Sequence, residues 1–345
     1  VFGSCVSLVD VSEPAVVADS RTIRSVCIAV PTFRRLELLG PLLDDLAQQV
    51  ESIAPRSAQV LIIDNDRAGA ARDLVLGRRA AFPCELHYAN VRTPGLSAVR
   101  NYSLDFVLDS STDALVMIDD DERPGPEWLR TLIDTANARD ADVVSGPVAA
   151  DFAEPPPAWI VDGAFFESAR LVDGASMSDC YSNDALLRVT SLRRVGLRFA
   201  PELGLAGGED QLFFRQMVKA GCKIVYASAA SVTERIPPER TALRYLLRRS
   251  LRRGTTLSIC DVRIHGTFGI VALRFAKSLA AIAYGIGSIV FGFRKVSFVN
   301  GACEIARGLG MMMGLFGRTV FEYADGHAAG ETSASVLLEP DLRSA

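Results

Sequence analysis

The chain is poor in several features that would place it at once. Its 345 residues hold seven cysteines, an odd number scattered over Cys5, Cys27, Cys84, Cys180, Cys222, Cys260 and Cys303, with no C-x-x-C pair. That excludes a disulfide-stapled scaffold and reads as reduced thiols in a cytosolic compartment. Neither G-x-G-x-x-G nor G-x-x-x-x-G-K-[ST] follows any strand-like run, which disfavours a dinucleotide site or a Walker ATPase. Of the three histidines, His87 and His265 are isolated and His327 lies in the C-terminal stretch, so none is assigned a ligand role. Residues 1-22 lack a basic stretch followed by a long apolar one and are expected to form a flexible leader. Residues 321-345, small, polar and broken by Gly and Pro, are expected to form a flexible tail.

Neither sign of charge dominates, with 37 Lys and Arg against 41 Asp and Glu, but the two are segregated. From Glu234 to Arg318 there are 14 basic and 4 acidic residues, net +10, which leaves −14 for the remainder. A basic segment on an acidic protein points to an anionic partner such as nucleic acid, phosphate or lipid. The segment carries no recognisable nucleic-acid-binding motif and is joined to apolar helices, so no nucleic acid is expected.

What is present is an alternation of short apolar runs and helical patterns. Val26 to Val30 is stopped by Pro31 and followed by Leu36, Leu39, Leu42, Leu43 and Leu46 at helical spacing. Val60 to Ile63 ends in Asp64-Asn65-Asp66, and Ala114 to Ile118 ends in three aspartates. A helix with Trp128, Leu129, Leu132, Ile133 and Ala136 on one face follows Gly125-Pro126. Continuous apolar strands separated by helices predict an α/β fold with a mainly parallel sheet covered on both faces. Ligands of such sheets sit at the carboxyl ends of the strands, where Thr32, Asp64 and Asp119 to Asp121 collect.

The run IDDDERP (118-124) is the strongest single feature. Strand alternation would turn Asp119 and Asp121 the same way and Asp120 the other. Adjacent carboxylates repel unless a cation intervenes, and a hard ion such as Mg²⁺ or Mn²⁺ that completes its shell with water and phosphate would do so. The other reading is an acidic turn opening the helix after Pro126. GGED (207-210) likewise reads either as a helix cap or as a place where a ligand comes close to backbone. Arg248, Arg249, Arg252 and Arg253 stand at helical spacings of four; they would grip a diphosphate or form a solvated or lipid-facing patch. Trp159, after three prolines, would stack on an acceptor sugar or pack as a core or hinge residue.

Five segments in this order and spacing, VCIAVPTFRR (26-35), VLIIDND (60-66), TPGLSAVRN (93-101), LVMIDDDERPGPEWL (115-129) and GGEDQLFFRQMVKAG (207-221), resemble the inverting family 2 glycosyltransferases of the GT-A fold. IDDDERP, GGED and TERIPPER (233-240) are most similar to bacterial exopolysaccharide glucosyltransferases of the succinoglycan type. The resemblance implies that Pro31, Thr32 and Phe33 hold the nucleotide base, with Phe33 stacking on it. It implies that Asp64 bonds uracil or ribose, with Asn65 where the family often has a second Asp, and that Arg100 lies near the nucleotide. Asp119 would face ribose, Asp121 with Asp119 would bind Mg²⁺ or Mn²⁺, and Asp120 would occupy the variable middle place. Asp210 would be the catalytic base and Glu209 its companion. Arg249, Arg252 and Arg253 would bind diphosphate, and the absence of Q-x-x-R-W points to addition of one sugar.

The resemblance further implies a nucleotide-diphospho-sugar donor, UDP-glucose first, and a lipid-linked saccharide acceptor. The alternatives are transfer to polyprenyl phosphate and a non-catalytic membrane scaffold retaining the fold. The transferase domain is expected over 23-262 and membrane-associating helices over 263-320. In the run from Phe268 to Phe293, the stretch free of charge, Ser278 to Phe293, is shorter than the roughly 20 residues of a comfortable span. This part is expected to be interfacial or re-entrant on an anionic membrane, at the cytoplasmic face of the inner membrane, with full spanning or a buried core helix as the other readings.

Overall fold

The computed structural model describes residues 21–168, 171–266 and 268–318. Most of the expected leader and all of the expected tail lie outside these residues. In chain order the elements are β1 (Ser25–Thr32), α1 (Leu36–Ser52), β2 (Ser57–Asp64), α2 (Arg72–Arg78), β3 (Glu85–Asn90), α3 (Leu96–Leu108), β4 (Ala114–Ile118), β5 (Glu122–Pro124) and α4 (Trp128–Arg139). There follow β6 (Val143–Ser145), β7 (Val148–Phe152), α5 (Ala158–Asp162), β8 (Ser176–Met177), β9 (Asp184–Arg188), α6 (Val189–Val195) and α7 (Glu209–Lys219). The last are β10 (Ile224–Tyr226), β11 (Val232–Ile236), α8 (Leu243–His265), α9 (Phe268–Phe291) and α10 (Lys295–Leu315).

Eight strands form one sheet in the order β3-β2-β1-β4-β9-β6-β10-β8, and three form a second, β5-β11-β7. β1, β2, β3 and β4 run parallel, and all five residues of β4 are buried. That is why the central strands read as unbroken apolar runs: each face packs against helices, so neither can be polar. One core lies between the sheet and α1 and α4, and includes Leu39, Leu42, Leu46, Trp128 and Leu132. The other, between the opposite face and α3, α6 and α7, includes Val99, Phe199, Phe213 and Phe214.

β9 departs from the parallel pattern, pairing antiparallel with both β4 and β6. Its register sets Asp184 beside Ile118, so the amino end of β9 lies at the carboxyl end of β4. Residues 182–184 are thereby delivered to the acidic segment from more than sixty positions downstream.

The boundary expected at 262/263 falls inside α8, a single helix of 23 residues. α10 packs along both α8 and α9, and glycines mark the close approaches: a Cβ at Gly254 would strike the Arg307 carbonyl, and one at Gly310 the Leu251 carbonyl. Gly285 of α9 and Gly301 of α10 face each other in the same way. α9 continues through Arg274 and Lys277, because Arg274 turns inward to pair with Asp261 of α8. It is the one helix among the described residues long and apolar enough to cross a membrane.

Candidate active site

The carboxyl end of β1 leads into Thr32, whose Oγ1 donates to Asp120 Oδ2 at 2.8 Å. Phe33 is half-buried, with the Arg34 guanidinium 5.0 Å from its ring centroid, and Arg34 also pairs with Asp66 at 2.9 Å. At the end of β2, Asp64 is fully buried. Its Oδ1 accepts from the Asp66 amide at 2.9 Å, and its Oδ2 accepts from the Ala71 amide at 2.8 Å and the Tyr88 hydroxyl at 3.1 Å. Asn65 donates to the carbonyls of Val91 and Thr93 and accepts from the Gly95 amide. These two side chains shape the loops around the cleft by satisfying backbone groups that leave the sheet.

The acidic trio does not follow strand alternation. The strand ends at Ile118, and a turn closes with the Glu122 amide donating to the Asp119 carbonyl at 3.2 Å. Asp120 and Asp121 then share one guanidinium: Arg35 Nη1 lies 2.9 Å from Asp120 Oδ1 and 3.0 Å from Asp121 Oδ2. Arg240 approaches Asp121 at 3.5 Å and pairs with Glu234. Asp119 is directed instead toward Arg100, 4.0 Å away. Nor does the trio cap the following helix, since α4 begins only at Trp128 with β5 in between.

Crowding of carboxylates leaves an electrostatic mark. Asp119 is pushed up to about 7, first by lost solvation and then by the charges of Asp121 and Asp120, with Arg100 opposing. Beneath the trio, fully buried Glu122 accepts from the Asp119 amide at 3.0 Å and the Asn183 side-chain amide at 2.6 Å. Burial raises its pKa well above the usual carboxylate range. Among the described residues no three His, Cys, Asp or Glu side chains form a ready-made metal cage. The donors at hand are carboxylate oxygens whose repulsion a divalent ion would relieve. This set fits Mg²⁺ or Mn²⁺, which need only one or two protein carboxylates when phosphate and water supply the rest.

The second acidic motif opens α7. Gly207 and Gly208 both have left-handed backbone, φ +80° and +92°, and a Cβ on Gly208 would run into Thr256 of α8. Gly208 is the N-cap and offers no capping side chain, while Glu209 and Asp210 stand in the first turn, where acidic side chains suit the helix start. Asp210 is half-buried, its Oδ1 accepting from the Gln211 amide at 2.7 Å. Glu209 is buried, pairs with Arg100 through Oε1, and its Oε2 has no hydrogen-bond partner. Burial pushes it up to about 7; Arg100 opposes the shift and the Asp210 charge adds to it.

Arg100, itself buried, therefore joins the two motifs, with Asp119 on one side and Glu209 on the other. Beside it lies a small cavity of about 10 Å³ lined by Pro31, Val99, Met117, Asp119 and Ser182. The Ser182 hydroxyl is buried and has no partner. Of the arginine run, Arg249 donates to the Phe165 carbonyl at 3.2 Å and lies 5.2 Å from the Phe166 ring. Burial and neighbouring Arg253 hold it down at about 10. Arg252 lies against Gly207, whereas Arg248 and Arg253 are exposed. Trp159 packs edge-on to Phe165 at 5.8 Å, with Lys295 Nζ 5.4 Å from its ring centroid.

Sequence reasoning gave no role to Arg35, Arg240, Glu122, Ser182 or Asn183. Arg35 and Arg240 stand inside the quoted segments PTFRR and TERIPPER, but nothing local pairs them with aspartates 85 and 119 positions away. Ser182 and Asn183 arrive only through the antiparallel placement of β9.

A mainly parallel sheet with acidic segments gathered at its strand ends is a glycosyltransferase architecture, and comparison with known proteins agrees. The glycosyl transferase family 2 signature matches residues 27–196. The chain is 35% identical over 229 residues to the succinoglycan biosynthesis protein ExoM of Rhizobium meliloti (strain 1021), covering 66% of this chain and 72% of that protein. It is 27% identical over 168 residues to a glucosyl-dolichyl phosphate glucuronosyltransferase of Haloferax volcanii, covering 44% of this chain and 51% of that one. Among solved structures, S. aureus TarS 1-349 in complex with UDP-GlcNAc aligns over 88% of this chain and 95% of that one at TM-score 0.48 and 16% identity. The chain belongs to glycosyl transferase family 2, and its mainly parallel sheet and flanking helices are the GT-A fold expected from the sequence.

Proposed function

We propose that this glycosyltransferase moves a sugar, glucose from UDP-glucose in the first instance, onto a lipid-linked saccharide, with inversion at the anomeric carbon. The observation that carries the proposal is Arg100, whose contacts with Asp119 and Glu209 bring two acidic motifs 88 or more residues apart to the two sides of one guanidinium. The relatives favour this acceptor class, one being named for succinoglycan biosynthesis and the other for a glucosyl-dolichyl phosphate substrate.

The acceptor hydroxyl attacks the anomeric carbon, its proton passes to the Asp210 carboxylate, and the bond to the diphosphate oxygen breaks on the far side. Removing the base is expected to lower the rate by about 10² to 10⁴. Glu209 is a positioning residue: its ion pair holds Arg100 in place behind the cleft. Pro31, Thr32 and Phe33 form the base and ribose side, with buried Asp64 holding the loop beside them, and Asp119 and Asp120 the approach to the diphosphate. A divalent cation on Asp121 and Asp119 would supply Lewis-acid stabilisation of the charge on the leaving diphosphate. Arg252 lies against Gly207 before the start of α7, and Arg249, one turn earlier on α8, against Phe165 and Phe166; an anionic group would be drawn to this pair. Association of the C-terminal helices with the cytoplasmic face of the membrane would bring such an acceptor within reach.

Nucleoside diphosphate release would be screened over nucleotide sugars with membranes present, with and without chelator. UDP-glucose should give turnover that chelation suppresses, and Asp210→Asn should abolish turnover while UDP still binds. Release with free polyprenyl phosphate but not with lipid-linked saccharide would move the acceptor to the former. No release with any donor, together with an unimpaired biological role for Asp210→Asn, would leave the scaffold reading in its place.

A further inference from the structure

α9 is built inside out. The residues it turns toward the protein are small or polar, with Ser278, Ala281 and Gly285 buried against α10. Those it turns away include Phe275, Leu279, Tyr284, Ile286, Val290 and Phe291, all exposed. At 3.6 residues per turn the exposed positions sweep an arc of roughly 200°, in which Lys277, at one edge, is the only charge. Only 17% of its most apolar window is buried, so this is not the core helix of a water-soluble domain. A flat protein surface covers about one side of a helix, whereas acyl chains follow a convex one.

Length alone would permit a crossing, but the attachments do not. At one end, Arg274 is fastened to Asp261 of α8, which also holds Arg215 of α7. At the other, just past α9, Arg294 lies 3.6 Å from Asp162 of α5, and Lys295 sits over Trp159. Both ends are thus tied to the transferase domain, and α10 returns alongside between them. A helix standing through the bilayer would drag α5 or α7 into the hydrocarbon. Basic side chains lie at the flanks, Lys277 at the edge of the arc and Arg294 and Lys295 beyond its end, where anionic headgroups would meet them.

We infer that α9 lies in the plane of an anionic phospholipid surface, its outer arc sunk into the headgroup and acyl boundary, and does not span the bilayer. This deepens the membrane association proposed above by fixing which face makes it and in what orientation. The test uses the full chain on vesicles of phosphatidylcholine with phosphatidylglycerol. Tryptophan would be introduced singly at Phe275, Leu279 and Ile286, on one side of the helix, and at exposed Phe293 just past its end, and quenched with lipids brominated at different depths. An in-plane helix gives the same shallow depth at all four, above the background of Trp128 and Trp159. A depth maximum at Leu279 and Ile286, with Phe275 and Phe293 near opposite surfaces, overturns the inference in favour of a span. Absence of quenching at all four overturns it too, and concentration-dependent dimerisation would then assign the face to a second copy. As an independent check, Phe275→Glu with Leu279→Glu should lower vesicle partitioning about 100-fold, with UDP affinity in detergent unchanged as the sign that the domain is folded. Shallow, uniform depth without any sugar transfer would sink the proposed reaction and leave the membrane orientation standing.

Discussion

Arg100 is one cation between buried Glu209 and partly exposed Asp119, and its removal takes from Glu209 its direct ion-pair partner. Breaking a buried ion pair from one side typically costs about 3–5 kcal/mol. Arg100→Met should therefore lower unfolding stability in urea by that order, and adding Glu209→Gln should restore part of the loss, since the orphaned acid is then neutral. An additive double mutant would show that the pair is not coupled. Asp184 makes a separate case. It is buried, accepts from Trp128 Nε1 at 2.8 Å and the Gly146 amide at 3.1 Å, and burial pushes it up to about 7. Because the folded state then holds a proton that the unfolded chain has released, stability should fall as pH rises from about 4 to about 7 and level off above. The drop amounts to roughly 4 kcal/mol at most. Urea midpoints across that range should lose this slope in Asp184→Asn, and a slope that persists unchanged would assign it to other groups. The sequence made the acids visible, as clustered carboxylates at strand ends. It did not make their cations visible, because Arg35 and Arg240 meet the trio only through tertiary folding.

Among the elements, the three C-terminal helices are set by where they lack side chains. At Gly310 a Cβ would strike the Leu251 carbonyl of α8, a backbone group that cannot rotate away, whereas at Gly287 of α9 a Cβ meets nothing within 4 Å. Gly310→Ala should then lower the thermal midpoint, while Gly287→Ala should raise helix stability by roughly 0.5–1 kcal/mol. Equal responses in calorimetry would mean that α10 does not pack on α8 as closely as described. The strands β1, β2 and β4 were legible because burial on both faces leaves no polar alternation to misread. The direction of β9 was not, for DALLR (184-188) pairs equally well either way and only its neighbours decide. The same holds for β5, β7 and β11, three to five residues each, which form a sheet only with one another. The start of α9 was not legible because Arg274 and Lys277 both read as interruptions; in the fold Arg274 pairs with Asp261 and Lys277 stays exposed.

At the scale of the whole molecule, the net +10 of Glu234 to Arg318 sits against −14 elsewhere, so attraction to an anionic surface should orient the protein before it binds. Vesicle binding should weaken as salt approaches about 1 M, where the screening length is about 3 Å. The part that survives should be the part lost in Phe275→Glu with Leu279→Glu, as flotation would measure; complete insensitivity to salt would remove the electrostatic contribution. The acidic trio has a mechanical consequence of its own. It spans the few residues between the last position of β4 in one sheet and the first of β5 in the other, and the Arg235 amide of β11 clamps the Asp121 carbonyl at 2.8 Å. Carboxylates mounted at a seam between two sheets have no hinge. In the reaction proposed above they would stand in place before a substrate arrives, and a segment closing over it would have to move toward this seam rather than with it.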